Sequence, residues 1–551
     1  MFNRDDEIIK NSAVIISVLI FIINLLCYFD INFTIVRYIS FFISFSGFIF
    51  LLVNYNKIQK FIYFFFQKNT KVVTALILLI FINSLLSPID IDSLDYHIGY
   101  PSFLDEINKY KANINWFHSI FFFSGEAIAL IGFFLRTENL LYFTNFLSIL
   151  ILFKTIEKYS YPKEIEDKIK IILISTPVLI QLTLSSKPVL LGIALMIYAF
   201  SEINLNPKRK NYAYFYLLFF GASFRYENFL LLAIILSYFF FKTNSKKYIF
   251  LSSVFGFLIN IAPILLRNNK YFGNPLFPFL SDYFNSSYEL TGQFLDFKNN
   301  LGTLNGFKGL DAIIYFPLSL FVSNNAGYYI SSLGIVTLYL VILAFNKKNF
   351  RMPFLIALFY FAIISVLGKL AYPRFFLPSA IILIINSDKI IKKASKKIIG
   401  TLLFIGTIFA SSVLLYSLKL SGLMIISENY KNKILTEVVE NYKIYDTVRL
   451  KYHESKIYDL SNSRNHFHKR ATNIIFDDNY RDINANDLIY LIKNKISNQK
   501  IILLIIDKTN LDLITKNEIK YSVLETFENY EIKTRNPYFN KVTDVYLIKI
   551  L

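Results

Sequence analysis

Thirteen apolar runs follow one another along the first three quarters of the chain, at about 12–29, 33–53, 72–87, 139–155, 170–185, 188–205, 211–224, 226–242, 247–266, 328–345, 352–368, 375–388 and 398–419. A bilayer core about 30 Å thick takes roughly 20 apolar residues as a helix, so these runs are read as candidate spanning helices. Composition agrees. Charged residues make up 18% of the chain and hydrophobic ones 54%, with a mean hydropathy of +0.45, against roughly 25% charged in soluble domains. That excludes a wholly soluble chain of three or four domains, and the abundance of Phe and Tyr excludes a disordered one. A single cysteine, Cys27, excludes a disulfide framework and a Cys-based zinc cluster. The first run is not a cleaved signal, because Leu26-Cys27-Tyr28-Phe29 is bulky where a small-residue cleavage site belongs.

Loop charge orients the chain. Basic residues cluster at Lys57, Lys60, Lys68 and Lys71, at Lys154, Lys158 and Lys163, and at Lys208, Arg209 and Lys210. They cluster again at Lys242, Lys246 and Lys247, at Lys347, Lys348 and Arg351, and at Lys392, Lys393, Lys396 and Lys397. The positive-inside rule puts all of these on the cytoplasmic side, provided the apolar stretches 116–134 and 311–325 do not span. Both carry polar interruptions: Ser124, Gly125 and Glu126 in one, Pro317, Ser319 and Ser323 in the other. They are therefore expected to lie flat on, or re-enter, the opposite face. The N-terminus is then cytoplasmic, and residues 88–138, 267–327 and the tail from 420 onward are extracytoplasmic. The net charge of +19 reflects cytoplasmic loops beside anionic lipid rather than nucleic acid.

The expected fold is thus an all-α polytopic membrane protein of about 13 helices with a small C-terminal extracytoplasmic α/β domain. Its parts are residues 1–71 (two helices and a cytoplasmic loop), 72–420 (the membrane core) and 421–551 (the tail). The tail carries 20 basic and 17 acidic residues, a much more even balance than the rest. Ile501 to Ile506 is a continuous apolar run suited to a buried strand, and Val545 to Ile550 reads as a last strand. Asn486 to Ile496 has helical spacing, with Leu488, Leu491 and Ile492 on one face.

The chemistry is concentrated in Ser87-Pro88-Ile89-Asp90-Ile91-Asp92-Ser93-Leu94-Asp95-Tyr96-His97, directly after the third run. Carboxylates at a membrane interface are costly to desolvate, so they are either solvated or functional. One held there in its ionised form can take a proton from a hydroxyl as general base. The plainer alternative is an acidic loop capping the next helix, with Asp92 or Ser93 at the N-cap.

Asp92-x-x-x-Tyr96-His97 after an early membrane helix resembles the first extracytoplasmic loop of GT-C glycosyltransferases, most of all bacterial members of the protein mannosyltransferase and aminoarabinose transferase group. Those enzymes place an Asp-Glu pair there with an aromatic three residues after the Glu. Asp92 matches the Asp and Tyr96 the aromatic, while Ser93 stands where the Glu would be. Further likenesses follow in order over roughly 72–390. They are Asn115 to Leu135 with Glu126, Ser186-Lys187-Pro188 with Val189 in place of a common Asp, Gly273 to Phe279, and Tyr372-Pro373-Arg374-Phe375-Phe376-Leu377-Pro378.

The resemblance implies transfer of a sugar from a polyprenyl-phosphate donor to a hydroxyl of a glycan, lipid or protein on the extracytoplasmic face of a bacterial inner membrane. Direct displacement would invert the anomeric centre. Asp92 would be the base, and Asp95 or His97 would orient base or acceptor. Tyr96 and Glu126 would line the substrate site. Lys187, Arg225, Arg267, Lys369 and Arg374 fall near the same face, where the positive-inside rule expects few cations. A donor phosphate gives them a reason, with Arg374, Lys187 and Arg225 as its holders; snorkelling to lipid headgroups is the alternative, and Arg225 could simply pair with Glu227. No cofactor is required, although Asp90, Asp92 and Asp95 could offer oxygen ligands to magnesium or manganese. His453, His466 and His468 lack a completing ligand for zinc and read as surface histidines. Two rival readings stay open. An O-antigen-type polymerase would share many helices and large external loops, and a lipid-linked sugar flippase or transporter would favour charges inside helices and an internal repeat.

Overall fold

The computed structural model describes residues 2–53, 68–90, 92–112, 120–206, 212–242, 246–277, 283–284, 314–323, 329–346, 352–367, 372–425, 427–452, 455–461, 474–475, 489–490, 492, 502–533 and 540–551. The apolar runs become helices: α1 Phe2–Phe29, α2 Thr34–Val53 and α3 Lys71–Ser84. A π-helical turn, Ser93–His97, leads into α4 Gly99–Ile107, followed by α5 Ser124–Phe134, α6 Leu140–Lys158, α7 Lys163–Ile174 and α8 Pro177–Thr183. Next come α9 Val189–Leu205, α10 Tyr212–Ala222, α11 Tyr226–Lys242, α12 Lys246–Asn260 and α13 Ala262–Phe272. The core closes with α14 Ile335–Asn346, α15 Met352–Leu367, α16 Leu377–Ile385, α17 Asp388–Lys393 and α18 Lys396–Ser421.

The expectation of about 13 spans is not met. Among the described residues three helical stretches are long and apolar enough to cross a membrane, Asp6–Phe29, Leu140–Lys158 and Lys396–Ser421. A fourth is α12 with α13, bent by 44°. Shorter apolar stretches of 10–17 residues include Thr34–Gly47 of α2, Lys71–Ser84, Ser124–Phe134, Val189–Leu205 and Met352–Val366. Proline explains part of the difference, because it removes an N–H and clashes with the preceding turn. The run at 170–185 is cut at Ser175–Thr176 before Pro177, and the run at 247–266 is cut at Ile261 before Pro263. At the first break the Val178 N–H donates to the Ser332 carbonyl at 2.9 Å, so backbone released from the helix is satisfied by protein. Helix α5 does not lie flat on a surface: all its residues but Phe133 are buried. Small residues bring helices together. A Cβ on Gly192 of α9 would stand 2.6 Å from the Gly221 carbonyl of α10, and the converse holds for Gly221, which is how backbones in a membrane bundle approach closely.

The tail is an α/β unit, as expected. Helices α19 Glu428–Val438, α20 Tyr442–Lys451 and α21 Lys508–Lys516 accompany a five-stranded sheet of order β2-β1-β3-β5-β4. The strands are β1 Lys456–Asp459, β2 Ile474–Ile475, β3 Ile502–Asp507, β4 Tyr521–Lys533 and β5 Asn540–Ile550. β1 pairs in parallel with β2 and β3, and β5 is antiparallel to β3 and β4. Side chains alternate across a strand. Leu503 and Ile505 therefore join the core under α20, while Leu504 and Ile506 join the core under α21. The helix read at Asn486 to Ile496 lies mostly outside the described residues; its Ile492 is buried. Leu435, Val438 and Tyr442 belong to the main core of the bundle, so α19 fastens the tail to it.

Candidate functional site

The Asp-rich loop is held from three directions. Asp90, rather than Asp92 or Ser93, caps the π-helical turn. Its Oδ1 accepts the Ser93 N–H at 3.0 Å, and its Oδ2 accepts the Ser93 hydroxyl at 2.5 Å and the Tyr142 hydroxyl at 3.2 Å. The Asp92 side chain takes no part in capping. It turns instead to Lys187, with Nζ 2.6 Å from Oδ2; the two side chains are 13% and 28% exposed, the ammonium being the more buried. The same Ser93 hydroxyl accepts the Ser186 N–H at 2.8 Å. That fixes the Ser186-Lys187 turn against the loop. Asp95 and His97 are wholly buried and Tyr96 nearly so. Asp95 and His97 thus present no exposed surface in this structure.

His97 is the centre of a second arrangement. Its Nδ1 lies 2.8 Å from Oε1 of Glu126, and its Nε2 lies 3.2 Å from Nη2 of Arg225. Glu126, in the first turn of α5, also accepts the Phe123 N–H through Oε2 at 3.0 Å, the back-bond of a capping box. A carboxylate only accepts and a guanidinium only donates. Nδ1 must therefore carry the proton and Nε2 must present its lone pair, which describes a neutral imidazole. Burial, helped by the Arg225 charge, pulls the His97 pKa down to about 4 against the opposing pull of Glu126. Burial pushes the Glu126 carboxyl up, but the His97 hydrogen bond and the Arg225 charge outweigh it and hold the carboxyl below its usual range.

Arg225 does not pair with Glu227. Its Nη2 is 3.8 Å from Glu126, and its guanidinium donates to the Tyr96 hydroxyl. Glu227 acts on Arg225 only through its charge and lies near Tyr360 on α15. One donor of Arg225, Nε, is buried without a partner. Arg374 sits in a 3-10 turn, Pro373–Phe376, its guanidinium over the Tyr372 and Phe375 rings. The charges of Arg225, Asp92 and Arg374 all reach the Tyr96 hydroxyl, and that of Lys187 reaches His97. Asp92, Tyr96, His97, Glu126, Lys187, Arg225 and Arg374 are thus gathered in one place from five separate segments. The N-terminus of α5 is fitted to this cluster closely: a Cβ on Gly125 would fall 2.1 Å from Pro188.

Arg267 has a different role. It is buried, donating to Asn24 at 2.8 Å, to the Phe122 carbonyl at 2.6 Å and to Asn268 at 2.9 Å, with its charge over Tyr110 and Phe122. It ties α1 to α13 and the segment before α5. Lys369, His453, His466 and His468 lie outside the described residues. Among the described residues no group of three His, Cys, Asp or Glu side chains is gathered where it could hold a metal ion. Charges buried inside helices include Glu166, Lys170 and Glu202. They are paired, Lys170 with Glu157 and Glu166, and Glu202 with Lys158. Sequence reasoning missed the Ser93–Ser186 link, because no local pattern connects two positions 93 residues apart.

No family model matches this sequence, and no curated protein matches it. Solved structures do. The crystal structure of ArnT from Cupriavidus metallidurans bound to undecaprenyl phosphate is similar over 86% of this chain and 97% of ArnT, with a TM-score of 0.54 and 12% identity. ArnT in the apo state gives the same coverage, a TM-score of 0.52 and 11% identity. The chain therefore has the fold of ArnT, in line with the resemblance read from the ordered motifs between residues 72 and 390.

Proposed function

We propose that this chain is a GT-C-type membrane glycosyltransferase that moves a sugar from a polyprenyl-phosphate carrier to a hydroxyl acceptor on the extracytoplasmic face. The observation that carries this reading is the pairing of Asp92 with Lys187 beside Arg225, whose Nε donor is unfilled, and Arg374. A solved protein of the same fold has undecaprenyl phosphate bound. In the reaction Asp92 takes the proton of the acceptor hydroxyl. The acceptor oxygen bonds to the anomeric carbon as the bond from that carbon to the phosphate oxygen breaks. Polyprenyl phosphate leaves with the electron pair, and the anomeric centre inverts. Lys187, Arg225 and Arg374 bear the charge that grows on the leaving phosphate, where fixed cations help the transition state most. Tyr96, beside Arg225, is assigned to hold phosphate or sugar oxygens in this scheme. The N-terminus is cytoplasmic and the tail extracytoplasmic in this scheme, and the acceptor is a glycan, lipid or protein. No metal is needed, because phosphate is already a good leaving group.

The test is release of polyprenyl phosphate by purified protein in liposomes, given a panel of polyprenyl-phosphate sugars, with wild type beside Asp92→Asn. Release lost in a folded Asp92→Asn protein supports both class and base. Release unchanged by the substitution removes Asp92 from the mechanism. No release by folded wild type with any donor and acceptor of the panel counts against the class.

A further inference from the structure

Buried ionisable groups are costly unless paired, and three of them meet at His97: the ring itself, Glu126 on α5 and Arg225 at the α10–α11 junction. The Tyr96 ring lies beside His97 on the same turn, with ring centroids 4.0 Å apart, and Lys187 acts from the turn before α9. Both ring nitrogens are spent. Nδ1–H is given to Glu126, and the Nε2 lone pair takes an Arg225 N–H. A protonated ring would turn an N–H towards the guanidinium, so the array has one charge pattern, carboxylate, neutral ring and cation. The ring has no surface open to a substrate. Glu126 in turn is fixed by the Phe123 N–H, and the Ser124 hydroxyl bonds the Ser223 hydroxyl at 2.6 Å, two residues before Arg225. α5 and the Arg225 junction are therefore locked to one another at two points.

We propose that His97 is a positioning residue: a neutral bridge, anchored by Glu126, that aims the Arg225 guanidinium at the anionic phosphate of the donor and takes no part in proton transfer. This rests on the polyprenyl-phosphate reading of the site. It separates the Asp-rich turn into a chemical half, Asp92 with Lys187, and a supporting half, His97 with Glu126 and Arg225.

Glutamine provides the decisive substitution. Its amide N–H can donate to Glu126 and its amide oxygen can accept from Arg225, yet it cannot exchange a proton at neutral pH. Phenylalanine keeps the ring and removes both bonds. Hydrogen bonds to charged groups contribute about 1.5–3 kcal/mol, or roughly 10- to 100-fold in an equilibrium constant. Binding of undecaprenyl phosphate in detergent, and KM and kcat for the sugar donor across pH, are measured for wild type, His97→Gln, His97→Phe and Arg225→Lys, each checked by thermal unfolding. The expected result is donor affinity weakened in His97→Phe and Arg225→Lys, recovery of most of it in His97→Gln, and a pH–rate profile of unchanged shape in His97→Gln. Loss of one limb of that profile in His97→Gln would overturn the bridge in favour of acid–base catalysis. Unchanged affinity in a folded His97→Phe would overturn it too, and if His97→Phe fails to fold, His97→Gln and Arg225→Lys still decide. Wild type that binds no undecaprenyl phosphate would overturn the donor reading and the bridge with it, a result distinct from failure of the bridge alone.

Discussion

Two ion-pair regions stand at the two ends of α6. At its start is the Asp92–Lys187 cluster, joined to the helix by the Tyr142 hydroxyl, which donates to Asp90 at 3.2 Å, and by the Asn145 amide, which donates to the Lys187 carbonyl at 3.1 Å. At its end, 19 residues away or about 28 Å along the axis, Lys158 lies between Asp6 and Glu202, its ammonium also over the Tyr198 ring. Beside it Lys170, with no exposure, gives its three protons to Asn69 at 2.9 Å, Glu157 at 3.1 Å and Glu166 at 2.8 Å. The regions use the same residue types differently. Around Lys170 each donor has an acceptor and the ammonium itself is closed to solvent, so it holds α7 to its neighbours. Around Asp92 the pair is partly exposed, and Arg225 nearby keeps a donor unfilled. A closed cluster is architecture; an open one has room for a ligand of opposite charge.

That contrast is broken or sharpened by four measurements. Asp92→Asn is expected to lower turnover by roughly 10²- to 10⁴-fold, the usual contribution of a general base, with the thermal midpoint unchanged; a lowered midpoint would make Asp92 architectural as well. Lys170→Met is expected to do the opposite. It takes the buried cation from Glu157, which keeps Lys68, and from Glu166, which keeps only the longer contact to Lys163 at 3.7 Å, a loss of at most about 3–5 kcal/mol of stability, while turnover per folded molecule stays the same. Lys187→Ala should raise donor KM by roughly tenfold, within the range of a lost charge-assisted hydrogen bond, with a smaller effect on stability than Lys170→Met. The smallest effect is that of pH. His97 binds its proton near pH 4 in the fold and near 6.5 when unfolded, so the unfolded chain holds more protons between those values. Stability should fall as pH drops from 6.5 to 4. The depressed Glu126 carboxyl, whose contribution is lost as pH falls through its folded value, acts in the same direction. The drop in thermal midpoint over this window should shrink in His97→Gln, and an equal drop there would assign it to other groups.

The helices were legible in the sequence because each leaves a long apolar trace; Tyr226–Lys242 coincides with its run residue for residue. Strand Ile502–Asp507 was legible for a related reason, since both its faces are buried. Span lengths were not. Hydropathy averages across Ser175–Thr176 and Ile261, while the prolines that follow break the helix. Within the site, Asp92, Lys187 and Arg374 could be named from spacing and from cations on an unexpected face. The capping by Asp90 could not, since Asp90 and Asp92 are equally suitable by type. The Glu126–His97–Arg225 bridge joins positions 29 and 128 residues apart, and no local period connects them. Arg225 and Glu227, neighbours in sequence, suggested a pair that the helix junction does not make.

Ser93 is the small residue on which the geometry of the chemical half turns. One oxygen gives its proton to Asp90 and takes the N–H of Ser186. The residue after Asp92 and the residue before Lys187 are thereby pinned at a common rivet. Asp92 and Lys187 cannot drift independently: whatever draws Lys187 aside also pulls on the turn that carries Asp92. In the proposed mechanism, arrival of the donor phosphate would thus be felt mechanically by the proposed base.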